Sequence, residues 1–201
     1  VHLTEEKQSF ILENVKSPPV PSVLRGFSAP VKLQTELPNS DLTFLMLHDS
    51  DGFNRWEAGQ QLYLRMLNHM IDEDTKDICP KFMSHIGSLI EQAASPEADK
   101  ALMARALSLP SIAMIGQQRA EIDPDAIYKA RQALLAALKR EHRNGLDQLY
   151  KDNAPSGAFS ITPEAMGQRA LRNVVLGILS STHGTGCASR SKSHYEEADN
   201  M

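Results

Sequence analysis

Several things are scarce in this chain, and each scarcity removes a class of protein. There are two cysteines, Cys79 and Cys187, far apart in the sequence, which is too few for a disulfide scaffold. Reduced thiols in a cytoplasmic protein are the expectation, with a single bridge between the two as the alternative. No stretch approaches the roughly 20 apolar residues of a membrane-spanning helix, and the opening Val1-His2-Leu3-Thr4-Glu5-Glu6-Lys7 has neither the basic start nor the apolar run of a signal peptide. Positive charge is not in excess: 21 Lys and Arg stand against 25 Asp and Glu, a net charge of −4, so no diffuse basic footprint for nucleic acid is present. No internal repeat recurs at a fixed period. The chain starts without Met, which leaves room for an upstream segment.

What is there has two grammars. Up to Leu47, short runs rich in β-formers alternate with turn residues: Ser9-Phe10-Ile11-Leu12, Val31-Lys32-Leu33-Gln34-Thr35 and Leu42-Thr43-Phe44-Leu45-Met46-Leu47, with Pro18-Pro19-Val20-Pro21 and Pro38-Asn39-Ser40-Asp41 between them. This spacing predicts three or four strands of a β-sandwich. A complete immunoglobulin-like sandwich needs about seven, so residues 1–47 are expected to be the C-terminal part of such a domain, lacking partner strands.

From residue 48 the period becomes helical. Phe53, Trp56, Tyr63, Leu67 and Met70 fall on one side of a helix entered through Ser50 or Asp51, and Phe82, Ile86, Leu89, Ile90 and Ala93 form one stripe on the next. Ser95-Pro96, Asp123-Pro124 and Thr162-Pro163 each pair an N-cap residue with a proline and predict helix starts. The helix from Pro124 should bury Ile127, Leu134 and Leu138; that from Pro163 should bury Met166, Leu171, Val174, Val175 and Ile178. Residues 180–193 are too polar and glycine-containing to predict a helix. The fold class expected is therefore α+β: a partial sandwich, then an all-α stack of solenoid type over residues 48–201.

The chemical motifs mostly dissolve on inspection. A zincin presents His-Glu-x-x-His on one helix, because histidines four apart face one metal and the glutamate activates its water. None of the seven histidines is followed by Glu. His183 and Cys187 are four apart, but a metal site needs three or four ligands and the next candidate is His194. In His48-Asp49-Ser50-Asp51-Gly52 a calcium loop would put Leu47 at its first ligand position and Ala58 where a bidentate glutamate belongs, so carboxylates at a helix N-terminus explain it better. A cysteine-phosphatase loop from Cys187 would need arginine where Ser193 stands. Trp56, between Arg55 and Glu57, is expected to be a buried anchor between the two domains, ligand contact being the other reading. Met66, Met70, Met83 and Met103 are expected to fill core. No catalytic, cofactor or metal residue is assigned within the chain.

Ordered blocks nevertheless carry a likeness. Pro19-Val20-Pro21-Ser22-Val23-Leu24-Arg25-Gly26-Phe27-Ser28-Ala29-Pro30-Val31-Lys32-Leu33, then Leu42-Thr43-Phe44-Leu45-Met46 and Asp51-Gly52-Phe53-Asn54-Arg55-Trp56-Glu57-Ala58-Gly59-Gln60, closely resemble the bacterial aminopeptidase N family of zinc-dependent gluzincins. Leu109-Pro110-Ser111, Ile122-Asp123-Pro124-Asp125-Ala126-Ile127, Ala170-Leu171-Arg172-Asn173 and Ala198-Asp199-Asn200-Met201 continue it in order. The resemblance implies a parent with an N-terminal β domain, a thermolysin-like catalytic domain, an immunoglobulin-like sandwich and a helical C-terminal domain, this chain spanning the end of the third and the start of the fourth. It implies zinc bound upstream, the catalytic domain of the same parent as partner, peptides as the parent's substrates, and no nucleic acid or membrane. A departure falls at residues 182–193, where the family reads as apolar helix. A helical scaffold binding a protein partner is the alternative.

Overall fold

The computed structural model describes residues 4–31, 33–181 and 185–198, with the backbone alone at residues 185–187. Its regular elements are α1 (Asn39–His48), α2 (Gly52–Asp72), α3 (Pro80–Ala94), α4 (Lys100–Leu107), α5 (Ile112–Gly116), α6 (Pro124–Glu141), α7 (Arg143–Asp152), α8 (Pro163–Leu179) and α9 (Thr185–Glu196), preceded by one 3-10 turn, Arg25–Phe27.

The expected sandwich strands do not form: among the described residues there is no strand. A strand exists only through its ladder with a neighbour, and the described residues before α1 find none here. Ile11, Leu12, Phe27 and Val31 stay exposed. Residues 42–47, expected as the last strand, are helical instead. A six-residue apolar run has no decisive period of its own, and packing settles it. A strand would put Leu42, Phe44 and Met46 on one face; the helix gathers Leu42, Leu45 and Met46 against the core and turns Phe44 out, 52% exposed. Met46 is 1% exposed, its Cγ and Sδ lying against the surface of α2 that Gly59 leaves clear.

α1 and α2 form an antiparallel hairpin, as Arg65–Asn39 and Arg55–Met46 hydrogen bonds at its two ends require. Of the two cap candidates, Ser50 and Asp51, it is Asp51 that caps α2, its carboxylate accepting from the N–H groups of Phe53 and Asn54. Tyr63, Leu67 and Met70 are buried as expected, but Phe53 is exposed and Trp56 is only half-buried. The buried residues of α2 begin at Ala58, so its first turns project past the core. The α3 stripe of Phe82, Ile86, Leu89, Ile90 and Ala93 is wholly buried.

Ser95-Pro96 does not start a helix. Ser95 ends α3, and α4 begins after Asp99, whose side chain accepts from Leu102 N–H. Lys100 Nζ donates to the carbonyls of Ala93 and Ser95, satisfying acceptors that the end of α3 would leave bare. Asp123 and Thr162 do cap α6 and α8. Ile127, Leu134, Leu138, Leu171, Val175 and Ile178 are buried, whereas Met166 is exposed. The most extensive helix contact is between α4 and α8. It is close because Gly167 carries no side chain: a Cβ there would lie 3.0 Å from the backbone nitrogen of Ala101.

Residues 180–193, read as non-helical, contain most of α9. Polar contacts hold it: Arg190 to Asp147 at 2.6 Å, Ser191 to Ser180 at 3.0 Å, and His194 to Tyr150 and Asn173, each at 3.0 Å. A helix docked by such contacts leaves little apolar periodicity to read. His183 lies outside the described residues and the side chain of Cys187 is not described, so the His183 and Cys187 pairing has no structural counterpart here.

Candidate functional site

The acidic elbow between α1 and α2 is a staple for the loop at residues 22–27. Asp49 accepts from Arg25 Nη1 at 2.5 Å, from the Ser22 hydroxyl at 2.5 Å and from Asp51 N–H at 2.8 Å. Arg25 Nη2 also reaches the Ser50 hydroxyl, and Gly26 N–H donates to Asp51. Asn54 donates to the Ser22 hydroxyl and the Val23 carbonyl. Burial opposes ionisation of Asp49, but the Asp51 N–H, Ser22 and Arg25 outweigh it and hold its carboxyl below the usual range. At Asp51 the N–H donors, Gly26 first and then Asn54, act in the same direction. These carboxylates bind protein donors, which is why the sequence has acid here without a calcium loop's other positions.

The staple holds an unusual backbone. Leu24 and Phe27 both adopt positive φ, 56° and 54°, a conformation that costs residues bearing a Cβ of the order of 1 kcal/mol each. The loop sets the Phe27 ring 4.4 Å from Phe53, whose ring is 5.5 Å from Trp56. Phe53 thus joins the loop to the first turn of α2, and Trp56, half-buried rather than buried as expected, packs on Phe53 within the same helix. Arg55 turns inward, donating to the Met46 carbonyl and to Gln92 Oε1. Glu57 accepts from Gln61 at 3.3 Å, one turn on.

Two concavities flank α3. One, about 400 Å³, lies beside the α6–α7 junction and includes Lys76, Asp77, Arg140 and Glu141, charges of both signs. The other, about 720 Å³, opens between α1, α2 and α3. Its floor is Leu62, Met66 and Phe82; Arg65, His69, Lys81 and His85 line its sides, and no carboxylate does. Thr43 Oγ and His85 Nδ1, both in its lining, are hydrogen-bonded to each other at 3.0 Å. Burial, with Lys81 nearby, pushes the His85 pKa below its ordinary value. Cys79, exposed, stands at the edge. Met66 and Phe82 were read as core and Cys79 as a reduced thiol, but Leu62, Arg65, His69, Lys81 and His85 were not picked out from the sequence. The available signal was a cation and a histidine at helical spacing on each of two helices, Arg65 with His69 and Lys81 with His85; only the tertiary fold brings the two pairs to one hollow.

Among the described residues no side-chain set fits a catalytic zinc. No histidine precedes a glutamate, and among the described residues no three His, Cys, Asp or Glu side chains gather to hold a metal. Among those residues, too, no helix is long and apolar enough to cross a membrane.

Comparison with known proteins places this geometry. Residues 39–201 match the family described as "Domain of unknown function (DUF3458_C) ARM repeats", and residues 1–36 match "Domain of unknown function (DUF3458) Ig-like fold". Aminopeptidase N of Escherichia coli is 32% identical over 204 residues, and that of Caulobacter vibrioides 34% over 206 residues; each alignment covers 100% of this chain and 23% of the relative. The crystal structure of Legionella pneumophila aminopeptidase A in complex with aspartic acid superposes with a TM-score of 0.81 at 25% identity, covering 94% of this chain and 23% of that one. This chain thus spans about a quarter of the length of the relatives it matches. The match over α1 to α9 and the end-to-end alignments make the chain a member of the DUF3458_C ARM-repeat family, homologous along its whole length to one segment of bacterial aminopeptidase N.

Proposed function

We propose that this chain is the non-catalytic portion of a zinc metallo-aminopeptidase that removes N-terminal residues from peptides. The observation that carries this reading is the pair of alignments to aminopeptidase N, each covering 100% of the chain and 23% of the relative. Residues before α1 belong to the end of an immunoglobulin-like domain, which supplies the missing partner strands; the helices begin the C-terminal domain. That helical part packs on the catalytic domain of the same parent and walls the chamber that peptides enter. Zinc and the residues that activate its water lie upstream. The parent is cytoplasmic, in keeping with the exposed thiol of Cys79.

The test is release of nitroaniline from an alanine anilide with zinc added. The purified 201-residue chain is expected to be inert, because it has no His-Glu-x-x-His to position metal and base, and the separately produced upstream region should co-elute with it in gel filtration. Turnover by the chain above a no-protein control, after contaminating peptidases are removed, would contradict the proposal. So would an upstream reading frame without the motif.

A further inference from the structure

The concavity between α1, α2 and α3 is a ligand-sized hollow with a consistent chemistry. At about 720 Å³ it falls within the range of small-molecule and peptide-end sites. Two permanent cations, Arg65 and Lys81, and two histidines face it in a chain whose net charge is −4. No Asp or Glu lines it, although acids outnumber bases overall, so the hollow is locally electropositive. Like charges held near one another over an apolar floor raise each other's energy, and an entering anion relieves this. His85, disfavoured as a cation by burial and by Lys81, feels that same field.

The floor decides what kind of anion. Leu62, Met66 and Phe82 are buried beneath it, so a small, fully hydrated anion such as phosphate would leave the apolar surface uncovered. Asn39, Ser40 and Thr43 add amide and hydroxyl groups on the α1 side. Asn39 Oδ1 already accepts from Arg65, the Ser40 hydroxyl donates to Asp41 and Thr43 pairs with His85, so the Asn39 amide N–H2 is the donor on this side that a peptide carbonyl can meet and a fatty-acid chain cannot. We propose that this hollow binds the C-terminal carboxylate of a peptide whose last side chains are apolar. The carboxylate lies between Arg65 and Lys81, and the last side chain covers Leu62, Met66 and Phe82. A free peptide amino group is repelled by the same two cations, so the hollow distinguishes the ends of a peptide. This holds whether or not the parent cleaves peptides.

Titration of the 201-residue chain with N-acetyl-Ala-Leu, followed by NMR at the ring protons of Phe82 and His85, tests it. Saturable shifts at both rings are expected, with binding weakened at least about tenfold by the C-terminal amide of the same peptide, since a charge-assisted hydrogen bond is lost. Arg65→Gln and Lys81→Gln, both at exposed positions, should each weaken binding roughly two- to fivefold, with circular dichroism unchanged. Equal affinity for acid and amide, no saturation, or shifts remote from Phe82 and His85 would overturn the proposal. Octanoate binding as well as the peptide acid would replace it with a fatty-acid site, and inorganic phosphate doing so with a simple anion site. The acid and amide comparison needs no variant, so it stands even if a substitution disturbs folding.

Discussion

Asp49 is the side chain on which the elbow depends. Its carboxylate is 1% exposed and is shared by Arg25, Ser22 and the Asp51 N–H. Asp49→Ala leaves those donors facing a void and should cost about 2–3 kcal/mol in denaturant titration. Because the folded pKa of Asp49 is held below its unfolded value, the unfolded state binds the proton more readily. Its contribution is therefore present above the unfolded pKa of about 3.9 and is lost as pH falls through the folded value. The acid limb of a stability-versus-pH curve should be shallower in Asp49→Asn. Tyr63 makes the opposite case. Its hydroxyl is fully buried, has no hydrogen-bond partner among the described residues and has its pKa raised by burial. Tyr63→Phe keeps the edge-on contact with Phe82 at 5.5 Å and removes an unpaired polar atom. Stability should rise by about 1 kcal/mol, and a loss of that size would show that the hydroxyl is satisfied in solution.

At the scale of elements, α9 differs from the rest in how it is held. α1 to α8 dock through apolar faces, but α9 is fixed by Arg190–Asp147, by His194 between Tyr150 and Asn173, and by the weaker Arg172–Glu197 pair at 3.8 Å. Such contacts are screened by salt and alter with protonation. Burial, and Arg172 beside it, lower the His194 pKa, opposed by Glu197. The folded state therefore favours neutral His194, and docking that is complete above the unfolded pKa of about 6.5 weakens as pH falls below it. Amide exchange in α9 should quicken between pH 7.5 and pH 5.5 and again on adding salt, after correction for intrinsic rates, while α3 amides hold their protection. Equal changes in both helices would sink the idea. The same polarity explains why the sequence hid α9: with no apolar stripe, period gives no signal. The α3 stripe was legible because every member is apolar and every member is buried.

For the molecule as a whole, apolar exposure is concentrated before α1. Phe10, Ile11, Leu12, Val15, Phe27, Val31 and Leu33 are all exposed, and Phe44 adds an outward ring on α1. Contiguous apolar exposure on a soluble chain marks an interface or an aggregation hazard. The 201-residue chain should bind a hydrophobic dye and self-associate more than a complete domain of its size, and a longer chain carrying a whole immunoglobulin-like domain should reverse this. A dye-negative, monomeric chain at high concentration would show that residues 4–38 cover themselves.

The sequence by itself determined the starts of α2, α6 and α8 and the core stripes of α3 and α6. Capping is a contact among near neighbours in the chain, so Asp51, Asp123 and Thr162 reveal it without a fold. It also showed that no His-Glu-x-x-His is present. Tertiary structure alone decided that residues 42–47 are helical, since a short apolar run takes the conformation that buries it and the burying surface comes from α2. It alone decided that Ser95 closes a helix, because Lys100 turns back to cap α3. And it alone brought Arg65 to the same hollow as Lys81 and His85, because Arg65 lies on α2 and the other two on α3, so only the packing of the helices sets the distance between them.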